Sequence, residues 1–140
     1  MQTWSYKLDN LHSTIIEIRK FCNNSKIFFL YGEVGSGKTT FAGEFCRQMG
    51  YEGEVSSPTF SLANVYQNDS IKIFHLDLYR IKNPEEAIDM GIEEYLYEGD
   101  ICLVEWPQPI ESIINLPYYK LEFRPDSQHS RQITINFIDT

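Results

Sequence analysis

The chain has 140 residues, is 42% hydrophobic and carries a formal net charge of -8. That length predicts one domain with one substantial core, spanning residues 1–140, and the longest apolar run, Ile27 to Tyr31, falls far short of the ~18 residues of a membrane span. The charge excludes nucleic-acid binding through a general basic surface.

The acidity is local. Between Asn83 and Tyr119 there are nine acids and no Lys or Arg, whereas the rest of the chain holds eleven acids and twelve bases. This segment is either a solvated face or a docking surface for a basic partner. The opening "MQTWSYKLDN" has no charged-then-apolar signal. Cys22, Cys46 and Cys102 are odd in number and far apart, which predicts free, mostly buried thiols of a reducing compartment. His12, His75 and His129 are scattered and offer no zinc spacing.

In chain order, a short strand is expected over Trp4 to Leu8. A helix follows with Asn10 as cap, and Leu11, Ile15, Ile18 and Cys22 at helical spacing. Lys26 to Tyr31 reads as a strand buried on both faces. The next helix leaves a glycine-rich loop and stops at Gly50. Phe60 to Tyr66 and Ile71 to Leu78 read as strands across the turn "QNDS". "NPEEA" starts a helix with Asn83 as cap and Pro84 in the first turn. Ile101 to Val104 is a second buried strand. Tyr118 to Phe123 and Gln132 to Ile138 form a closing antiparallel pair joined by "RPDSQHS". Strands alternating with helices predict an α/β layer fold with a mixed, mostly parallel sheet flanked by helices.

The loop between the first buried strand and its helix is "GEVGSGKTT", which fits G-x-x-x-x-G-K-[ST] through Gly32, Gly37, Lys38 and Thr39. A chance match in a chain this long has a probability of roughly 0.5% at ordinary residue frequencies, and the strand before and helix after are the context that the motif requires. Glycines let successive N–H groups face phosphate oxygens without Cβ clashes. The helix N-terminus adds positive potential. Lys38 then reaches the β and γ phosphates, and the Thr39 hydroxyl is a ligand for Mg²⁺. The stretch predicts a P-loop NTPase fold that holds a nucleoside triphosphate.

Such a site needs a carboxylate at the end of a neighbouring buried strand. "ICLVE" runs through four apolar residues to Glu105, whereas "IKIFHLD" alternates more, as a half-exposed strand would, and ends at Asp77. The continuous run suits a central parallel strand, so Glu105 is the expected magnesium or water-positioning acid. Asp77 is either a second acid of the site or a cap before "YR". Trp106 is expected to pack as core or wall. In "SSPTF", Pro58 extends Ser57, and Thr59 either approaches the γ-phosphate or belongs to an ordinary loop. Arg80 either meets transferred phosphate or forms a surface ion pair. No N-K-x-D guanine motif and no arginine-rich lid are present. A small-metabolite kinase is therefore the weaker alternative; a nucleotide-dependent binding module with slow hydrolysis is the other.

Five stretches, "YGEVGSGKTTF", "SPTF", "HLDLYRI", "NPEEAIDMGIEEYL" and "ICLVEWPQ", resemble in order and spacing the TsaE (YjeE) family, bacterial ATPases of tRNA threonylcarbamoyladenosine synthesis. The similarity runs from about Ile27 to Gln108; the terminal regions match more loosely. The resemblance implies a cytoplasmic protein that binds ATP/ADP and Mg²⁺ and hydrolyses ATP weakly alone. It implies action with the TsaD–TsaB complex, which carries out N6-threonylcarbamoyladenosine (t6A) modification, with tRNA reached only through those partners. On this resemblance Gly32, Glu33, Val34, Gly35, Ser36, Gly37, Lys38, Thr39 and Thr40 hold the nucleotide, and Thr39 and Glu105 hold the metal. Lys38, Glu105 and Asp77 carry hydrolysis, and Thr59 contacts the nucleotide. The adenine end falls near Leu8 to Asn10, and Arg131 matches a late arginine.

Overall fold

Seven strands form one sheet in the order β1-β7-β6-β2-β5-β4-β3. They are β1 (Gln2–Lys7), β2 (Ile27–Tyr31), β3 (Ala63–Gln67), β4 (Lys72–Asp77), β5 (Ile101–Glu105), β6 (Tyr118–Ser127) and β7 (Ser130–Ile138). The computed structural model describes residues 1–56, 58 and 62–139. β6, β2, β5 and β4 run mutually parallel. The antiparallel pairings of β6 with β7 and of β7 with β1 turn β1 back to the same direction, and β3 runs against β4. Five strands therefore point one way and two the other, a mixed and mostly parallel sheet.

β2 shows why the centre is buried on both sides. Successive side chains alternate between faces, and both faces are covered. Phe28 and Leu30 enter one apolar cluster, with Ile15 and Ile18 of α1 (Leu11–Phe21) and Phe41 and Phe45 of α2 (Lys38–Gln48). Ile27 and Phe29 enter the other, with Ala87 of α3 (Pro84–Asp89) and Ile92 and Leu96 of α4 (Ile92–Glu98). The Phe29 ring stacks on Tyr118 with centroids 4.3 Å apart, and Phe28 meets Phe45 at 5.2 Å. Truncating either phenylalanine to alanine would cost about 3–5 kcal/mol. Together with their helices these clusters rigidify the end of β2 from which the glycine loop departs.

Local chemistry explains most element ends. Gly50 takes a positive φ of 102° just beyond α2, the conformation a helix C-terminus needs. Asn83 caps α3, its Oδ1 accepting from the Glu86 N–H at 3.0 Å. Asn10 precedes α1, but its Oδ1 instead accepts from the Lys7 N–H at 2.8 Å, closing a single 3₁₀ turn, Leu8–Asn10. β1 accordingly stops at Lys7.

Two expectations need correction, and one helix was not foreseen. β4 is not half-exposed: Ile73, Phe74, His75 and Leu76 are all buried. The alternation misled because His75 is polar yet fully enclosed by hydrogen-bond partners. The final hairpin is longer than its apolar stretches, with most of "RPDSQHS" inside the strands; a register shift between Pro125 and Ser127 accommodates the proline. A further helix, α4, follows Gly91, whose φ of 80° turns the chain out of α3. β3 is Ala63–Gln67, and the expected start at Phe60 lies, with Ser61, outside the described residues. Cys22, Cys46 and Cys102 are free and buried, and burial pushes each thiol up to about 12. Among the described residues no helix is long and apolar enough to cross a membrane.

Candidate nucleotide site

The glycine loop leaves the carboxyl end of β2 and runs into α2. Gly32, Gly35 and Gly37 all have positive φ, at 153°, 81° and 104°. An added Cβ at Gly32 would sit 2.6 Å from the Ser36 Oγ and 2.9 Å from the Phe123 carbonyl oxygen. No side chain caps the first turn of α2, so its N–H groups retain the positive potential of a helix start. Among the described residues the Ser36 Oγ, buried under the loop, has no hydrogen-bond partner. These features fit a phosphate group held by backbone N–H groups.

A cavity of about 540 Å³ opens beside the loop. Of the expected residues, Val34, Gly35, Gly37, Lys38, Thr39, Thr40, Asp77 and Glu105 line it. Gly32, Glu33 and Ser36 shape the turn beneath, where the Ser36 N–H donates to the Glu33 carbonyl at 3.0 Å. Thr59 lies outside the described residues. Arg80 is exposed and does not line the cavity.

Parallel pairing brings the two acids together. Glu105 ends β5 opposite Leu30 of β2 on one side and Asp77 of β4 on the other. Glu105 is only 3% exposed, so it is no ordinary surface acid. Its Oε2 accepts from the Thr39 hydroxyl at 3.5 Å, a long contact. The Asp77 Oδ1 accepts from the Tyr79 N–H at 3.0 Å, so Asp77 both caps the turn before Arg80 and faces the cavity. Both carboxylates therefore lie within one site.

Lys38 is buried at the mouth of the loop. Its Nζ donates to the Gly32 carbonyl at 2.6 Å and lies 4.0 Å from the centre of the Trp106 ring. Burial holds its pKa below the usual lysine value, against the opposing pull of Glu105, Asp77 and Glu33. Trp106 forms the wall expected of it, and is the one non-glycine among the described residues with positive φ, at 54°. That strained conformation aims the indole at the lysine.

The far side of the cavity was less legible. Leu8 and Arg131 line it as expected, but so do Tyr6, Gln128 and His129. Tyr6 and Arg131 are cross-strand partners of β1 and β7, and Gln128 and His129 are the hairpin turn. Burial pushes the Tyr6 hydroxyl up to about 12, with Arg131 pulling the other way. No local signal marks Tyr6, Gln128 or His129; the pairing of β1 with β7 and their hairpin bring them to the loop. The other missed residue is His75, whose Nε2 lies 2.6 Å from the Glu105 Oε2. A polar residue inside a run of buried strand positions was its only trace.

A glycine loop between a parallel strand and a helix, with a buried acid on the next strand, defines a P-loop nucleotide-binding protein. A crystal structure of Bacillus subtilis YdiB shares the fold, with a TM-score of 0.72 over 96% of this chain and 83% of that one, at 23% identity. The family model described as "Threonylcarbamoyl adenosine biosynthesis protein TsaE" matches residues 6–133, and the chain belongs to that family. It is similar to two proteins named "tRNA threonylcarbamoyladenosine biosynthesis protein TsaE". With that of Rickettsia prowazekii it shares 34% identity over 120 residues, 83% of each chain. With that of Haemophilus influenzae it shares 38% over 98 residues, 65% of this chain and 62% of the relative's length.

The loop geometry gives a direct test. Gly32→Ala is expected to lower unfolding free energy by roughly 1–3 kcal/mol, because the Cβ collides with backbone as well as side chain. Gly35→Ala, where an added Cβ meets nothing within 4 Å, should cost about 1 kcal/mol from its positive φ alone. Urea denaturation of the two variants checks the order; an equal or smaller loss at Gly32 contradicts the packing described.

Proposed function

We propose that this chain is a Mg²⁺-dependent ATPase of the cytoplasm that serves tRNA t6A biosynthesis together with the TsaD–TsaB complex. The observation that carries the reading is the convergence of Lys38, Thr39 and Glu105 on one cavity at the start of α2. The family to which the chain belongs supports the pathway, and the donor set, a hydroxyl beside a buried carboxylate, suits a hard cation that prefers oxygen ligands. Thr39 and Glu105 would hold the Mg²⁺, which would supply positive charge against the negative charge of the phosphates.

The chain's own residues have distinct roles in this reading. Loop N–H groups and the helix start bind the phosphates. Lys38, which now donates to the Gly32 carbonyl, would donate instead to a β or γ phosphate oxygen. Thr39 would offer its hydroxyl to the metal, and Glu105 would help to hold it or orient the attacking water. Asp77, on the adjacent strand, adds a second negative charge and leaves the first role to Glu105. Tyr6, Leu8 and Arg131 flank the base end.

Lys38→Ala should weaken ATP binding at least tenfold, about 1.4 kcal/mol. Glu105→Gln should still bind ATP while hydrolysis falls by roughly 100-fold. Calorimetry and a phosphate-release assay check both. Unchanged affinity in folded Lys38→Ala removes the loop assignment. The turnover pattern appearing in Asp77→Asn but not in Glu105→Gln reverses the roles of the acids.

The acids of α3 and α4 make this face a poor tRNA surface. The chain is therefore expected to bind TsaD–TsaB in a nucleotide-dependent manner and to show no detectable binding to isolated tRNA at physiological salt. Micromolar tRNA affinity in a filter-binding assay, or partner binding indifferent to nucleotide, counts against this part of the reading.

A further inference from the structure

Glu105 is tied to a chain of polar groups that crosses the sheet away from the cavity. His75, fully buried in β4, places Nε2 at 2.6 Å from the Glu105 Oε2. Its Nδ1 lies 3.0 Å from the hydroxyl of Tyr66 on β3. That hydroxyl lies 2.8 Å from the Ser56 carbonyl oxygen and accepts from the Ser56 N–H at 3.2 Å; it has one proton to give, and giving it to the His75 Nδ1 leaves the proton of a neutral imidazole on Nε2, facing Glu105. The Asn64 amide donates to the same carbonyl at 2.9 Å. Side chains on three adjacent strands thus connect the site acid to one backbone position, the residue that opens "SSPTF".

We propose that His75 and Tyr66 are positioning residues, which set the Glu105 carboxylate toward Thr39 and couple its placement to the backbone at Ser56. The proposal rests on the reading of Glu105 as the metal or water acid. A glutamate side chain has three rotatable bonds, and a buried carboxylate needs a donor to fix it. Thr39 alone, at 3.5 Å, is too distant to do so. Lys38 is committed to Gly32 and Trp106. The short contact from His75 is the strong one, and it is made by the carboxylate oxygen that also faces Thr39. Tyr66 in turn sets the imidazole plane from the other nitrogen. Groups that orient a metal-binding side chain in this way change metal affinity about 10- to 100-fold when removed. Coupling is reciprocal, so a change at Tyr66 must be felt at Glu105.

The experiment compares the full chain with His75→Leu, His75→Gln, Tyr66→Phe and Glu105→Gln. Two quantities are measured for each: Mg²⁺ binding to the ATP-loaded protein by calorimetry, and kcat as a function of Mg²⁺. Affinity for metal-free ATP and the unfolding midpoint are controls. His75→Leu is expected to raise the Mg²⁺ half-saturation by about tenfold or more, with metal-free ATP affinity within about twofold. His75→Gln, which can return an N–H near the Nε2 position, should recover most of the loss. Tyr66→Phe, which removes one oxygen from a packed ring, should shift Mg²⁺ half-saturation in the same direction by a smaller factor, and keeps the test open if His75→Leu does not fold. Folded His75 and Tyr66 variants with wild-type Mg²⁺ dependence overturn the proposal, provided Glu105→Gln itself disturbs it. If Glu105→Gln leaves Mg²⁺ binding and turnover unchanged, the reading of Glu105 fails and the proposal with it.

Discussion

Parallel registration of β2, β5 and β4 is the constraint on which the site depends. Strands covered on both faces cannot carry polar side chains along their length without partners, so polar chemistry collects at their carboxyl ends. Here that edge brings together the start of the glycine loop, Glu105 and Asp77, with Leu30, Glu105 and Asp77 level across the three strands. A slip of one residue in β5 would turn Glu105 to the opposite face of the sheet. The apolar clusters on both faces oppose such a slip, because every one of the four residues before Glu105 in β5 is buried.

The same burial gives the site its electrostatic character. Lys38, Glu105 and His75 are largely out of water, and each is kept by a specific neighbour: the Gly32 carbonyl and the Trp106 face for Lys38, and one short contact between Glu105 and His75. Interactions in such surroundings are stronger than at a surface, and an unpaired group is more costly. The strained backbone at Trp106 persists within this arrangement, held between Tyr79 and Lys38. The cavity is thus lined by side chains that are already fixed by partners of their own, Lys38 among them.

The parts of the molecule governed by local chemistry were legible in the sequence. The loop, its flanking strand and helix, and the Asn83 cap follow from residue type and spacing over a few positions. Glu105 was legible because a continuous apolar run points to a central strand. The misreadings have separate origins. β4 resembled a half-exposed strand because His75 is hydrophobically buried but polar in kind. Tyr6 and Arg131 meet only because β1 pairs with β7 across most of the chain's length. α4 was missed since its seven residues, Ile92–Glu98, are rich in acids and bury only Ile92 and Leu96.

The central claim is that the glycine loop, Lys38, Thr39 and Glu105 form one Mg·nucleotide site. A crystal structure of the chain with Mg²⁺ and a non-hydrolysable ATP analogue tests it most directly. The account predicts phosphates cradled by residues 32–40, the Lys38 Nζ moved from the Gly32 carbonyl to a phosphate oxygen, and the metal between the Thr39 hydroxyl and Glu105. Nucleotide bound elsewhere, or bound at the loop with Lys38 still on Gly32 and no metal beside Thr39, would contradict it.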